Sequence, residues 1–281
     1  MSNVTRDLTQ RLTGHPRVAG LSGLVLACIL LASAPASAGE AEWTAHMDAG
    51  RAALQRGDTR AAAARFEGAL KEAEPFGAGD KRLHVTVLQL AQSYSALGRH
   101  AEADQLYHRL IASFEKSLGP GHPDIALALN DLAELYRAQG RFAEAQPLYR
   151  RAAAIAEKAL GPEHPNVAAV LNNLALLLKA QGRYAEAEPL SRRSLAILEK
   201  ALGAEHPNVA MALNNLAELL RAQGRSSEAE PLLQRSLRIL EKAFGPTHPN
   251  VAATLSNLAD LYRAQGREAE AEALLLKPAQ R

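Results

Sequence analysis

The chain has 281 residues, of which 47% are hydrophobic and 4% aromatic, with 32 basic and 30 acidic side chains. This near-neutral balance argues against a nucleic-acid binder, whose affinity rests mainly on a basic surface. The single cysteine, Cys28, excludes an intramolecular disulfide. Alanine and leucine dominate and β-branched runs are scarce, so the composition favours an all-α protein with closely packed helices.

Residues 1–38 have the three-part layout of a secretory signal peptide. An arginine-bearing start is followed by an uncharged run over residues 18–39, and residues 36–38 are small. We expect cleavage after Ala38, because Pro35 disfavours cutting after Ala34. The segment carries three arginines and one aspartate, so its removal leaves 29 basic and 29 acidic residues and no cysteine for a metal site.

Two alternatives stay open for this segment. Residues 25–28, ending in Cys28, resemble a bacterial lipobox, although the apolar run continues beyond the cysteine. The segment could also stay uncleaved as an anchor, although its dense apolar core is short for a full span. Each version leaves the positive flank in the cytoplasm and exports the rest. The expected location is periplasmic or secreted or, with an anchor, the periplasmic side of the inner membrane.

A repeat of 42 residues organises the rest of the chain. His-Pro begins at residues 122, 164, 206 and 248, and Gln-Gly-Arg keeps the same spacing around glycines 140, 182, 224 and 266. Residues 166–207 and 208–249 are identical at 30 of 42 positions. Self-similarity at a fixed period predicts a stack of equivalent structural units.

Each unit reads as two antiparallel helices. A proline such as Pro165 directly after the loop suits the first turn of a helix, because backbone N–H groups there have no hydrogen-bond partner within the helix. One apolar stripe then follows at helical spacing, formed by Leu129, Leu132, Ala133 and Tyr136. Gly140 suits the left-handed end of that helix. A second helix is predicted over residues 142–159, before Gly161.

The small and large residues around the turn glycine carry a family resemblance. Ala133 lies seven residues before Gly140, and Ala145, Tyr149 and Ala152 lie five, nine and twelve after it. With the motifs LNNLA, QGR, EAEPL and EKxLGPxHP, the pattern resembles tetratricopeptide repeats of the kinesin-light-chain type, closely over residues 122–271. The resemblance implies a right-handed superhelical solenoid with a concave wall lined by the first helix of each unit. Such repeats serve many roles in bacterial proteins, so no motor function follows.

We predict a signal segment at 1–38 and a solenoid of about six helix pairs over 39–281. The two earliest units are degenerate, as expected of terminal repeats, which have one side without a neighbour. The predicted unit bounds are about 41–79, 80–121, 122–163, 164–205, 206–247 and 248–281.

The side chains opposite the buried stripe of a first helix are spaced i, i+4, i+7 and i+11. In the third unit these are Leu127, Asp131, Glu134 and Ala138. Residues equivalent to Asp131 in successive units form a row, which is the predicted peptide-binding groove. They are Gln89, Asp131, Asn173, Asn215 and Asn257. A side-chain amide both donates and accepts, so it can hold an extended backbone of any sequence. The resemblance implies the same role for asparagines here. Alternatively, they bond to the neighbouring repeat.

Polar side chains flank this row. They are Asn130, Arg137, Asn172, Lys179, Asn214, Arg221 and Arg263. The cations favour an acidic peptide, since arginine binds carboxylates with two parallel hydrogen bonds. Glu134, Glu218 and Asp260 lie closer to the groove centre and leave the ligand charge open. The basic row could also be a solvated face paired with acids three residues earlier.

Catalysis is not predicted. The sequence contains no recognisable nucleophile–base–acid set, phosphate-binding glycine loop or HExxH motif. The repeat pattern accounts for nearly every residue. The His-Pro histidines form a spaced ladder, which indicates capping rather than a metal site. We therefore predict a non-catalytic scaffold for a peptide or protein partner, with no cofactor and no metal. The alternative is self-assembly through the apolar end formed by Leu274, Leu275 and Leu276.

Overall fold

The computed structural model describes residues 38–77 and 79–276. The predictions of a signal peptide, a lipidated Cys28 or an anchor concern residues 1–37 and lie outside this range. Within the described ranges, no helix combines the length and the apolar character that a membrane span needs.

The described residues fold into twelve α-helices and one short 3₁₀ turn, without a strand among them. The helices of the first three pairs are α1 Ala38–Gln55, α2 Thr59–Ala73, α3 Lys81–Ala96, α4 His100–Leu118, α5 Pro123–Ala138 and α6 Phe142–Leu160. Those of the last three are α7 Pro165–Ala180, α8 Tyr184–Leu202, α9 Pro207–Ala222, α10 Ser226–Phe244, α11 Pro249–Ala264 and α12 Glu268–Leu276. The turn Glu74–Phe76 follows α2. The predicted all-α fold of six helix pairs is confirmed.

Local chemistry sets the helix ends. The Nδ1 of His164 accepts the backbone N–H of Asn166 at 3.1 Å, and Pro165 occupies the first helical position of α7. At the other end, the backbone N–H of Gly182 donates to the carbonyl of Lys179 at 2.9 Å, with φ of +72° at the glycine. That left-handed conformation is strained for residues with a Cβ, so the glycine lets the chain reverse into α8.

The described chain forms two compact units, residues 38–159 and 160–276. We call them the N-terminal and C-terminal units. In the N-terminal unit successive helices from α1 to α5 pack on one another, and the rings of Phe66, Tyr107 and Tyr149 are buried. Gly50 lets α1 approach α2 closely, since a Cβ there would lie 2.4 Å from the Phe66 ring. Small and large residues alternate to fill this core.

In the C-terminal unit, successive helices from α7 to α12 pack on one another, and the first helices α7, α9 and α11 are also neighbours in that order. The core consists mainly of leucines such as Leu177, Leu213 and Leu216. Burying each contributes about 1.5–3 kcal/mol. Serines replace larger residues where helices approach closely: the Ser194 hydroxyl donates to the carbonyl of Ala168 at 2.7 Å.

Candidate functional site on the first helices

The first helices of the C-terminal unit share one face on which asparagines recur, and we call it the outer stripe. It comprises residues 166, 169, 173 and 176 of α7, 208, 211, 215 and 218 of α9, and 250, 253, 257 and 260 of α11. On α9 all four are partly exposed, whereas Leu213, Leu216 and Leu220 on the other side are buried. Because α7, α9 and α11 are neighbours, the stripe forms one wall within this unit.

Two of the three amides in the predicted row of the C-terminal unit bond across repeats, and the third is buried. Asn173 is 0% exposed. Asn215 is partly exposed, and its Nδ2 donates to Oδ1 of Asn172 in the preceding repeat at 2.9 Å. The Nδ2 of Asn257 donates to Oε1 of Glu218 at 3.3 Å. The inter-repeat bonding foreseen as an alternative is therefore present, and it occupies part of the hydrogen-bonding capacity of the row.

The N-terminal unit repeats this arrangement with other groups. The Nε2 of Gln92 donates to Oδ2 of Asp131 at 3.1 Å, which ties α3 to α5. Gln89 is partly exposed and donates to Oε1 of Gln92 at 3.2 Å. The Nδ2 of Asn130 donates to Oδ1 of Asp131 at 3.3 Å. Burial raises the pKa of Asp131 to about 6, against the partly offsetting hydrogen bonds from Gln92 and Asn130.

Five of the predicted site residues are interior, contrary to the expectation that they line an accessible surface. They are Asn130, Asp131, Asn172, Asn173 and Asn214. The reason is the close packing of neighbouring first helices, and Asp131, Asn172 and Asn214 form hydrogen bonds across repeats. Asn214, for example, donates to the hydroxyls of Ser236 and Thr254, each at 2.9 Å. Buried amides bonded in this way hold repeats in register.

The basic row is mostly paired. Arg137 donates to Glu134, three residues earlier, with Nε to Oε2 at 2.8 Å. Arg263 pairs with Asp260 in the same way at 3.0 Å. Lys179 instead reaches Glu218 of the next repeat at 2.5 Å. Arg221 is exposed, and among the described residues no carboxylate lies within ion-pair distance of it.

Three asparagines that the sequence analysis overlooked lie on the outer stripe. Asn166, Asn208 and Asn250 stand seven residues before the predicted row, two helical turns along the same face. Each is partly exposed, and within the described ranges no side-chain hydrogen bond engages its amide. The signal was available in the sequence, because the i, i+7 spacing that selected the predicted row also selects these positions.

The His-Pro histidines act as helix caps. In all four repeats Nδ1 accepts the backbone N–H two residues on, at 3.1–3.3 Å. Such a bond requires the unprotonated Nδ1, so the proton of the neutral ring is on Nε2. In the part of the chain that the structure describes, no group of three histidine, cysteine or acidic side chains could hold a metal ion.

The predicted apolar end is described only in part. Leu274 is buried, Leu275 is 41% exposed, and the side chain of Leu276 lies outside the described residues. Self-assembly through this end therefore stays a prediction.

A polar cleft of about 430 Å³ lies on the N-terminal unit, away from the predicted row. His100, Ala101, Asp104, Gln105, Gln139 and Arg141 line it. At the matching place in the C-terminal unit, Glu188 accepts from Gln223 at 3.1 Å and from Arg225 at 2.6 Å. Asp104 is one methylene shorter and accepts instead from the Tyr136 hydroxyl. The cleft therefore occupies the place of a salt bridge.

Comparison with known proteins agrees with this architecture. A tetratricopeptide repeat family model matches residues 83–158, 124–200, 167–242 and 209–277, and a second tetratricopeptide repeat model matches 47–79. Together they cover most of the chain. Among proteins of curated function, none matches this chain significantly.

Solved structures of similar proteins extend the agreement. A Podosopora anserina protein described as a kinesin light chain with nearly identical TPR-like repeats is 33% identical, with a TM-score of 0.61 over 69% of this chain and 92% of that one. BtubC from P. vanneervenii is 23% identical, with a TM-score of 0.66 over 87% and 91%. PilW, a type IV pilus biogenesis factor, is 21% identical, with a TM-score of 0.61 over 84% and 92%. The last two resemblances concern the fold alone. The predicted kinesin-light-chain type of repeat is confirmed.

Proposed function

We propose that this chain, which belongs to the tetratricopeptide repeat family, holds an extended segment of a partner protein on the outer stripe of its C-terminal unit. Repeats of this family generally serve as non-catalytic scaffolds for protein–protein interaction. The finer proposal concerns where the partner binds and through which groups.

The free amides of Asn166, Asn208 and Asn250 carry this proposal. They stand on three neighbouring helices, and each offers a donor and an acceptor that no described side chain uses. A peptide backbone needs both kinds of group at intervals along its length, whatever its side chains are. Asn215 and Asn257 lie on the same wall, and their second polar atoms can add contacts. Asn173 is buried and offers no surface to the segment.

The test uses the full-length chain and random twelve-residue peptides displayed on phage. We expect the wild-type protein to select binding peptides, and the triple variant Asn166→Ala/Asn208→Ala/Asn250→Ala to bind them about tenfold more weakly, the cost of about one net hydrogen bond to the backbone. The matched control replaces three exposed residues of the second helices, Ser227→Ala/Arg238→Ala/Glu272→Ala. Equal binding by the two triple variants would contradict the proposal.

We also propose that the scaffold works in the cell envelope, on the evidence of residues 1–38 alone. A fusion of alkaline phosphatase to the C-terminus is active only after export. We expect activity from the full-length fusion and none when residues 1–38 are deleted. Activity without the segment would remove the argument for an exported protein.

A further inference from the structure

Four first helices carry a cation three residues before the turn glycine, and in two of them it pairs with an acid of its own helix. In the third repeat Arg137 pairs with Glu134, and in the sixth Arg263 pairs with Asp260, each with the acid three residues earlier. These i, i+3 pairs neutralise the charge of both arginines. The positions that correspond to Arg137 are Lys179, Arg221 and Arg263.

The fourth repeat lacks this pair because it carries Leu176 in place of the acid. This leucine occupies the position three residues before Lys179, where the third, fifth and sixth repeats carry an acid. Lys179 therefore has no carboxylate on its own helix at that spacing and reaches Glu218 on α9 at 2.5 Å. The other oxygen of Glu218 accepts from Asn257 at 3.3 Å.

Arg221 is left without its acid as a result. Its own i−3 partner is Glu218, whose two oxygens are taken by groups from the repeats on either side. Arg225, the next cation along the helix end, is already held by Glu188 at 2.6 Å and by Glu228 at 2.7 Å. In the C-terminal unit these positions therefore hold three cations, Lys179, Arg221 and Arg263, and two acids, Glu218 and Asp260. The cation without an acid is the exposed guanidinium of Arg221.

We infer that Arg221 binds a carboxylate of the partner polypeptide, so that the C-terminal unit selects segments carrying one acidic group at a fixed place. This inference rests on the proposed function and assigns an acidic group to the ligand, whose charge the sequence left open. A guanidinium offers two parallel N–H donors to one carboxylate, a geometry that an amide or hydroxyl partner cannot use fully. A partner lysine or arginine at the same place would be repelled.

The carboxylate could belong to an aspartate or glutamate side chain or to the C-terminus of the partner, and two peptide libraries separate these sources. In the first, random peptides are fused through their C-termini to the phage coat, so only side chains supply carboxylates. In the second, the peptides end in a free carboxylate. Enrichment of one acidic position in the first library supports the side-chain source. Preference for the second library without an acidic position supports the C-terminus.

The decisive comparison is Arg221→Gln against Arg263→Gln. Arg221 is exposed and has no described ion-pair partner, so its replacement leaves thermal unfolding unchanged, which circular dichroism checks. We expect Arg221→Gln to bind the selected peptides about tenfold more weakly and to lose the carboxylate preference in a fresh selection. Arg263→Gln removes a cation already paired with Asp260 and keeps both the affinity and the preference.

The outcomes separate the two proposals. If peptides bind the wild type without any carboxylate preference, or if Arg221→Gln selects the same acidic peptides, the inference about Arg221 is overturned while the scaffold proposal stands. If neither library yields a peptide that binds the wild type, the proposed function fails and the inference fails with it.

Discussion

The N-terminal unit buries a carboxylate, Asp131, at the position where the C-terminal unit buries an amide, Asn173. The helix caps differ as well. Asp58 and Asp80 cap α2 and α3 of the N-terminal unit, and only α5 there has a histidine cap. In the C-terminal unit α7, α9 and α11 all have histidine caps. The same helix-pair fold thus carries different titratable groups in its two halves.

The difference predicts opposite responses to mild acid. Burial raises the pKa of Asp131 to about 6, above the 3.8 of an unperturbed aspartate, so the folded state binds the proton more tightly. Stability from this group therefore falls as the pH rises from about 4 to 6. Burial lowers the pKa of His206 from 6.5, so stability from that group is lost as the pH falls below 6.5. One fold can hold two pH responses of opposite sign.

The largest effect is expected when the amide of the C-terminal unit becomes an acid. Asn173→Asp places a carboxylate where the side chain has no exposure, so we expect a loss of about 3 kcal/mol in the free energy of unfolding at pH 7.5. The loss should shrink towards pH 4, because the protonated acid is neutral. Urea denaturation followed by circular dichroism measures both. A loss that does not depend on pH would point to packing instead of charge.

The reverse exchange tests the N-terminal unit. Asp131→Asn removes the buried charge, so we expect a gain of about 1–3 kcal/mol at pH 7.5 and little difference from the wild type at pH 4. The gain is less than the pKa of Asp131 alone suggests, because one of the donors from Gln92 and Asn130 then meets an NH₂ group. The same denaturation series measures it. A destabilised variant at pH 7.5 would mean that the carboxylate is well satisfied.

The histidine caps give the next effect. Protonation of His206 removes the Nδ1 acceptor of the Asn208 N–H, so the wild type loses stability from this cap as the pH falls below 6.5, by at most the roughly 1 kcal/mol that a helix cap contributes. In His206→Ser the serine hydroxyl caps the helix and does not titrate near neutral pH. We therefore expect this variant to lack the part of the pH dependence that comes from His206. Hydrogen exchange of peptides covering α9 localises the effect.

The outcome that would contradict this prediction is a wild type and a His206→Ser variant with the same pH dependence of unfolding. It would show that protonation of the His206 cap does not change the stability of α9.

The smallest effect concerns the polar cleft. Asp104→Glu adds the methylene that lets Glu188 reach Gln223 and Arg225 at the corresponding place, so we expect a gain of about 0.5–1 kcal/mol. Glu188→Asp is the matched opposite change and should lose a similar amount. Thermal unfolding under identical buffer conditions compares them. A loss from Asp104→Glu would mean that the bond from the Tyr136 hydroxyl outweighs the new bridge.

The fold was predictable from sequence because its signals are local and repeated. The His-Pro caps, the turn glycine Gly182 and the apolar stripe each act within one helix, and the 42-residue period brings each signal back in the next unit. The predicted second helix over 142–159 matches Phe142–Leu160. The candidate site was predictable only as a face. Helical spacing selects Asn173 and Asn215 equally, yet one is buried and the other partly exposed.

The sequence by itself therefore determined the helix pairs, their caps and the polar face of each first helix, since these depend on residues within four or seven positions of one another. Only the tertiary structure decided which polar groups on that face stay available. Asn215 bonds to Asn172 and Lys179 to Glu218 across 43 and 39 residues, because neighbouring first helices lie side by side. That pairing occupies Glu218 and leaves Arg221 without a carboxylate, a consequence of packing between repeats.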